Sequence, residues 1–191
     1  RVKITLIEKN KHISNSEKVI SFRKDLGWVA SIYFIGIGGI GMSAIARYFA
    51  ANGKRVAGYD KAPSKITDTL MQLGVEIHFE DGLKNIPISF LDANKTLVVY
   101  TPAIPENHTE LNYFLDNNFT ILKRAEILGK ITENTFCLAV SGTHGKTTTS
   151  CILGHIMCQE KATSFLGGIA ENYNSNLILG EDKISVVEAD E

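Results

Sequence analysis

Cysteine, proline and tryptophan are scarce in this chain, at three, four and one among 191 residues. The cysteines, Cys137, Cys151 and Cys158, form no C-x-x-C pair and sit in apolar patterns. An odd number so placed reads as buried free thiols of a reducing compartment, not as disulfides or a zinc site. Excess charge of either sign is missing as well. Twenty basic against 21 acidic residues leave a formal net charge of −1. That balance lacks the basic face that nucleic acid or an anionic membrane surface requires. No run approaches the roughly eighteen apolar residues that span a bilayer, and no apolar segment of the secretory-signal kind opens the chain. What is left is an ordinary globular class, 44% hydrophobic and 21% charged, expected in the cytoplasm.

Glycine is plentiful, at 16 residues, and it gathers in two loops. The segment Ser141-Gly142-Thr143-His144-Gly145-Lys146-Thr147-Thr148-Thr149 follows an apolar run over 136–140 and leads into a helical pattern over 150–156. Strand, Gly-Lys-Thr loop and helix form the arrangement that holds a nucleoside triphosphate. Backbone N–H groups and the positive helix start face the phosphates, a lysine reaches the β/γ oxygens, and a hydroxyl meets Mg²⁺. Gly142, Thr143, His144, Gly145, Lys146, Thr147 and Thr148 are therefore the candidate ATP loop. Lys146 is the candidate neutralising cation, since a lysine that merely capped this helix end would oppose its dipole. Thr147 is the candidate magnesium ligand. His144 reads equally as a group that meets substrate or phosphate and as a loop-packing imidazole.

The second cluster, Gly36-Ile37-Gly38-Gly39-Ile40-Gly41, follows the short apolar run 32–35 and opens a helical pattern over 40–51. Asp60 ends the next strand about 20 residues on, the spacing of a dinucleotide-binding loop. The glycines permit a tight turn and close approach to a diphosphate, and Asp60 can accept hydrogen bonds from a ribose or a base. On this loop alone NAD leads, with an NAD-dependent oxidoreductase as the corresponding activity. Glycines used only for helix–strand packing are the alternative. Thr101, Pro102 and Ala103 follow the apolar strand 96–100 at the end where open parallel sheets bind ligands, so they form a further candidate edge beside the bland reading of an ordinary turn.

Strands at 32–35, 55–60, 75–79, 96–100 and 119–122 alternate with helices at 40–51, 64–73, 109–117 and 125–131. That alternation predicts an α/β fold, a doubly wound parallel sheet. Residues 1 to about 30 read as an extension outside the domain, with a weak alternation at 2–7 and a polar stretch at 9–18. A first domain is expected over 31–132. A second, over 133–191, begins just before the Gly-Lys-Thr loop, turns at Gly167-Gly168 and ends in the apolar run 184–187. Such domains need several parallel strands covered on both faces, so this one reads as incomplete, with strand edges that associate readily. His12, His78 and His155 show no ligand spacing and read as surface or core residues. Cys151 and Cys158 read as packing on one helix face.

The second loop departs from the general G-x-x-x-x-G-K-[ST] pattern, which would place a glycine at Val140. Gly142-Thr143-His144-Gly145-Lys146-Thr147-Thr148 instead resembles the loop of the Mur ligases, the ATP-dependent amino-acid ligases of peptidoglycan precursor synthesis. The segments 35–43 (Ile-Gly-Ile-Gly-Gly-Ile-Gly-Met-Ser), 123–128 (Lys-Arg-Ala-Glu-Ile-Leu) and 187–191 (Val-Glu-Ala-Asp-Glu) are similar to stretches of that family too. Together they cover the chain from about residue 26 to its end. The resemblance implies a Rossmann-like first domain that holds the UDP part of a sugar nucleotide in place of NAD. It implies Ile37, Gly38, Gly39, Ile40 and Gly41 at the diphosphate, Asp60 at uracil or ribose, and Thr101, Pro102 and Ala103 on the sugar-nucleotide side, with Asn176 as a further contact. It also implies Lys146, His144 and Glu188 as catalytic residues and Thr147 with Glu188 at magnesium. The implied reaction activates the carboxylate of UDP-N-acetylmuramate with ATP as an acyl phosphate, which the amine of L-alanine then attacks. Members that reattach a recycled tripeptide share the second loop and stand as the alternative. His108 and Ile178 depart from the family pattern, which carries asparagine and arginine there. Family members continue into a third domain, so these 191 residues alone are not expected to turn over.

Overall fold

The computed structural model describes residues 2–7 and 26–189 and divides into two compact units. One is Leu26–Ile127; the other joins Leu128–Glu191 to the N-terminal segment. The expectations for His12, for the polar stretch 9–18 and for Asp190 and Glu191 lie outside the described residues. The first strand in chain order, β1 (Lys3–Ile7), belongs to the second unit.

The first unit is built on a sheet of β2 (Ser31–Ile35), β3 (Arg55–Tyr59), β4 (Glu76–His78), β5 (Thr96–Tyr100) and β6 (Thr120–Lys123). All its pairings are parallel, in the order β4-β3-β2-β5-β6. Every residue of β2 is buried, as are the first four of β5, which is why these strands read as unbroken apolar runs. Helices α1 (Ile40–Ala51), α2 (Lys65–Gln72) and α3 (Thr109–Asp116) connect them, and α4 (Arg124–Thr132) follows β6. The chain starts at β2, steps to β3 and β4, then returns to β5 on β2's other side. The C-terminal ends of β2 and β5 therefore flank the topological switch point, where ligands bind to such sheets. Gly53 takes φ +74° after α1, and Ser64 with Thr67 closes a capping box at the start of α2. An aromatic cluster of Tyr33, Phe90, Phe114 and Phe119 fills one side of the sheet.

In the second unit β7 (Phe136–Ser141), β8 (Ala162–Ala170), β9 (Ser175–Ile178) and β10 (Glu181–Glu188) join β1 in the order β1-β7-β10-β8-β9. Helix α5 (Lys146–Met157) follows β7. The three central strands are parallel, while β1 and β9 run antiparallel at the two margins. Two expectations change here. Lys3–Ile7 is no free extension but a strand pairing Leu6 with Leu138 and Ile4 with Val140; its weak alternation is supplemented by the backbone partners that β7 offers. Gly167-Gly168 is no turn either, because β8 continues through both to Ala170, with a register shift against β9 between Phe165 and Ala170. The three cysteines are free, yet only Cys137 is buried, and Cys151 and Cys158 are half-buried.

Candidate functional site

Each unit carries one glycine loop where a strand ends and a helix starts. In the first unit, Gly36 takes φ +87°, and the N–H groups of Gly36 and Ile37 donate to the Tyr59 carbonyl at 2.8 and 3.0 Å. The Gly38 N–H donates to Asp60 Oδ2 at 2.6 Å. Two of the amides expected to face a diphosphate thus serve the protein's own β3 end, and Asp60 holds the loop with one of its oxygens. The glycines of the motif each make room for a side chain. A Cβ would lie 2.6 Å from Thr101 Cγ2 at position 36, 2.8 Å from Asp60 Oδ2 at position 38 and 2.8 Å from Arg124 Nη1 at position 41. Thr101 is therefore drawn against the loop, while Pro102 and Ala103 continue the turn in exposed positions. Gly39 caps α1 without a side-chain acceptor, and no acidic residue occupies the first turn, which contains Ile40 and Gly41.

A second polar cluster of this unit was not legible from spacing. Glu110, at the start of α3, is fully buried. It accepts the Tyr33 hydroxyl at 2.7 Å and the Gly82 N–H at 3.1 Å. Tyr33 Oη also lies 2.7 Å from His78 Nε2, so His78 joins a network where the sequence suggested an isolated core or surface imidazole. Burial, then the neighbouring Glu110 charge, pushes the Tyr33 phenol far up. Burial also raises Glu110 and lowers His78. Asp81 goes the other way: burial is outweighed by hydrogen bonds from Thr109 and the Glu110 N–H and by His108, and its carboxyl falls below the ordinary value. Those N–H bonds, 2.8 Å from Thr109 and 3.2 Å from Glu110, cap α3. His108 Nδ1 adds an acceptor for the Leu111 N–H at 3.4 Å, the capping role an asparagine commonly plays.

In the second unit the loop after β7 turns through Gly142 at φ +143° and Gly145 at φ +78°, conformations that favour glycine. Thr143, His144, Gly145, Thr147 and Thr148 are exposed, and Lys146 is half-buried. Lys146 Nζ donates to the Gly142 carbonyl oxygen at 2.6 Å, so the ammonium closes across the loop and does not swing into solvent. Glu188, at the end of β10, reaches the first turns of α5. Its Oε1 accepts from Ser150 Oγ at 2.6 Å and from the Gly167 N–H at 3.1 Å, and its Oε2 stands 3.5 Å from Thr147 Oγ1. A Cβ at position 168 would come within 2.9 Å of Thr147 Cγ2. The Cys151 thiol is pushed up by burial and by the Glu188 charge. Ser150, Gly167 and Gly168 are thus site-shaping residues that sequence reasoning missed; the only signal was the Gly-Gly pair.

A carboxylate and a threonine hydroxyl facing one another, beside an ammonium at a helix start, suit a triphosphate with a hard divalent cation. The donor set consists of oxygens, as magnesium prefers. Among the described residues no group of three or more His, Cys, Asp or Glu side chains converges on a metal site. A cation bound chiefly through phosphates requires no such group. Asn176 lies buried in β9, and Ile178 is buried beside it. No helix among the described residues is long and apolar enough to cross a membrane.

Known proteins resemble this chain in sequence and in fold. The model of the Mur ligase family, catalytic domain, matches residues 31–135. The UDP-N-acetylmuramate–L-alanine ligase of Flavobacterium psychrophilum is 58% identical over 169 residues, covering 87% of this chain and 38% of that protein. The corresponding ligase of Parabacteroides distasonis is 52% identical over 170 residues, covering 87% and 37%. The chain spans a little over a third of the length of these relatives. The crystal structure of the UDP-N-acetylmuramate-alanine ligase from Thermotoga maritima superposes with a TM-score of 0.72 at 30% identity, covering 83% of this chain and 36% of that one.

Proposed function

The chain belongs to the Mur ligase family, and from that premise we propose that its parent protein joins L-alanine to UDP-N-acetylmuramate at the expense of ATP. The observation that carries this reading is the Glu188 carboxylate gathered with Thr147 and Ser150 at the mouth of the Gly-Lys-Thr loop. An oxidoreductase has no use for that grouping.

ATP with magnesium, when bound, supplies the phosphoryl group that activates a carboxylate toward amide formation. Lys146 offsets phosphate charge at the start of α5, where the helix dipole adds to it. Thr147 and Glu188 offer oxygen ligands to the cation. Ser150 and the Gly167 N–H hold one Glu188 oxygen, which fixes the other toward Thr147. Thr143, His144 and Thr148 line the exposed side of the loop for phosphate or substrate. In the first unit, residues 37–41 seat the diphosphate of a UDP-sugar, Asp60 turns its remaining oxygen to ribose or uracil, and Thr101, Pro102 and Ala103 border the sugar. Soluble nucleotide substrates place the reaction in the cytoplasm.

Titration calorimetry on the 191-residue chain tests the first site. UDP-N-acetylmuramate is expected to bind and NADH is not; tighter binding of NADH would move the protein to the dehydrogenases. For the reaction itself, phosphate release by the full-length protein is expected to require both UDP-N-acetylmuramate and L-alanine. Release driven by a tripeptide and not by alanine would assign it to the recycling members.

A further inference from the structure

Arg124 holds a place in the first loop that the reading above leaves without a role. It is the residue immediately after β6 and the first of α4, and it is half-buried. Its side chain lies against the first turn of α1. A Cβ on residue 41 would sit 2.8 Å from Nη1, 3.1 Å from Cδ and 3.4 Å from Cζ. Position 41 is therefore glycine on the arginine's account, because any larger residue would displace the guanidinium from the helix start.

Charge makes this placement informative. The start of α1 carries the positive end of the helix dipole, and neither a side-chain cap nor an acidic first-turn residue offsets it. Arg124 adds a full positive charge at the same spot. At the other end of the loop, Asp60 puts a carboxylate on the Gly38 N–H. The cradle is thus polarised along its length, negative beside Gly38 and positive beside Gly41. A nucleoside diphosphate has matching polarity: hydroxyl donors on its ribose and a concentrated anion beyond.

We propose that Arg124 is a specificity-determining residue of the first loop, binding the diphosphate of a nucleoside-diphosphate sugar seated on the start of α1 and setting its direction along the cradle. The inference rests on the UDP-sugar reading of that loop. The planar fork of a guanidinium suits adjacent phosphate oxygens in a way that a lysine ammonium does not.

Calorimetric titration of the 191-residue chain with UDP, UMP and uridine, repeated on Arg124→Gln and Arg124→Lys, tests it. The unaltered chain is expected to bind UDP more tightly than uridine. Arg124→Gln should weaken UDP about tenfold or more, the loss of a charge-assisted contact, while uridine changes less than about twofold. Arg124→Lys should fall between, keeping the charge without the fork. Equal weakening of UDP and uridine would make Arg124 a packing residue and overturn the proposal, as would unchanged UDP affinity. If the unaltered chain itself fails to prefer UDP over uridine, the diphosphate reading of the loop falls first, and the role of Arg124 falls with it.

Discussion

Gly167 and Glu188 compete for one volume: the Gly167 N–H donates to Glu188 Oε1 at 3.1 Å, and a Cβ on residue 167 would overlap the carboxylate. Strand β8 thus feeds backbone, not side chains, to the site beside the Gly-Lys-Thr loop. Gly168 repeats the pattern against Thr147. Two glycines in mid-strand weaken a sheet, and this pair is explained by the two side chains it accommodates, Glu188 and Thr147.

Gly167→Ala should therefore be costly in both folding and binding. The added methyl forces Glu188 off Oε1's two donors, Ser150 and the Gly167 N–H, and losing these bonds to a charged group costs on the order of 1–3 kcal/mol. Gly129, in α4, has nothing within 4 Å of its would-be Cβ, so Gly129→Ala should be neutral or stabilising by roughly 0.5–1 kcal/mol. Urea denaturation of both variants, with ATP titrations alongside, measures the contrast. Equal stability for the two would remove the steric argument.

Glu188→Gln separates charge from shape. The amide oxygen can still accept from Ser150 and Gly167, so the fold should survive with its unfolding midpoint nearly unchanged. Affinity for ATP in the presence of magnesium should drop about tenfold or more, the loss of a charged ligand. Affinity in EDTA should hardly move. A magnesium effect of undiminished size in Glu188→Gln would show that the cation is held elsewhere.

The sequence made some of this legible and hid the rest for identifiable reasons. Both loops were readable because strand, glycine turn and helix are contiguous, so local spacing carries their geometry. Asp60 follows the end of β3, as its spacing predicts, but its bond to Gly38 leaves no mark in the sequence, since a carboxylate in a ligand site is first assigned to the ligand. Ser150 and the Gly167-Gly168 pair were missed because they meet Glu188 from 38 and 21 residues away. Gly-Gly alone signals a turn; only the close approach of a side chain makes it a strand feature. The strand at Lys3–Ile7 escaped for a related reason, since pairing with β7 across more than 130 residues of chain leaves no local trace.

Tyr33 has one hydroxyl proton and two partners at 2.7 Å, Glu110 and His78 Nε2. His78 Nδ1 faces the Glu80 carbonyl at 3.0 Å and must donate to it. One further proton is therefore shared along the Glu110–Tyr33–His78 chain, and burial, which raises Glu110 and lowers His78, disfavours charge on both groups. Lowered from 6.5, His78 contributes stability that is present above that value and lost as pH falls through its folded pKa. Raised from 4.5, Glu110 contributes stability that is complete below that value and lost as pH climbs through its folded pKa. Asp81 adds to the acid-side loss, at lower pH than His78, and His108 and Tyr59 are the other titratable groups packed at this end of the sheet. Unfolding free energy measured across pH should show the His78 slope below 6.5 vanish in His78→Gln. The slope above 4.5 should vanish in Glu110→Gln. Profiles that superpose on the unaltered chain would mean that the proton is not shared as the bonds require.

Lys146 spends its charge on the loop's own Gly142 carbonyl at 2.6 Å, a bond that an incoming phosphate must replace. The exchange is favourable because a carbonyl dipole gives way to a full anion at a helix start. Lys146→Met keeps the aliphatic stem that packs on the loop and removes only the ammonium. ATP affinity should fall about ten- to a hundredfold, as for a charge-assisted hydrogen bond of roughly 1.5–3 kcal/mol. Thermal stability should change by no more than the single half-exposed bond allows, on the order of 1 kcal/mol. Salt supplies the decisive readout: raising ionic strength should weaken ATP binding to the unaltered chain more steeply than to Lys146→Met, since only the former pairs that charge with phosphate. Parallel salt dependences would mean that the ammonium stays on Gly142 and never reaches the nucleotide.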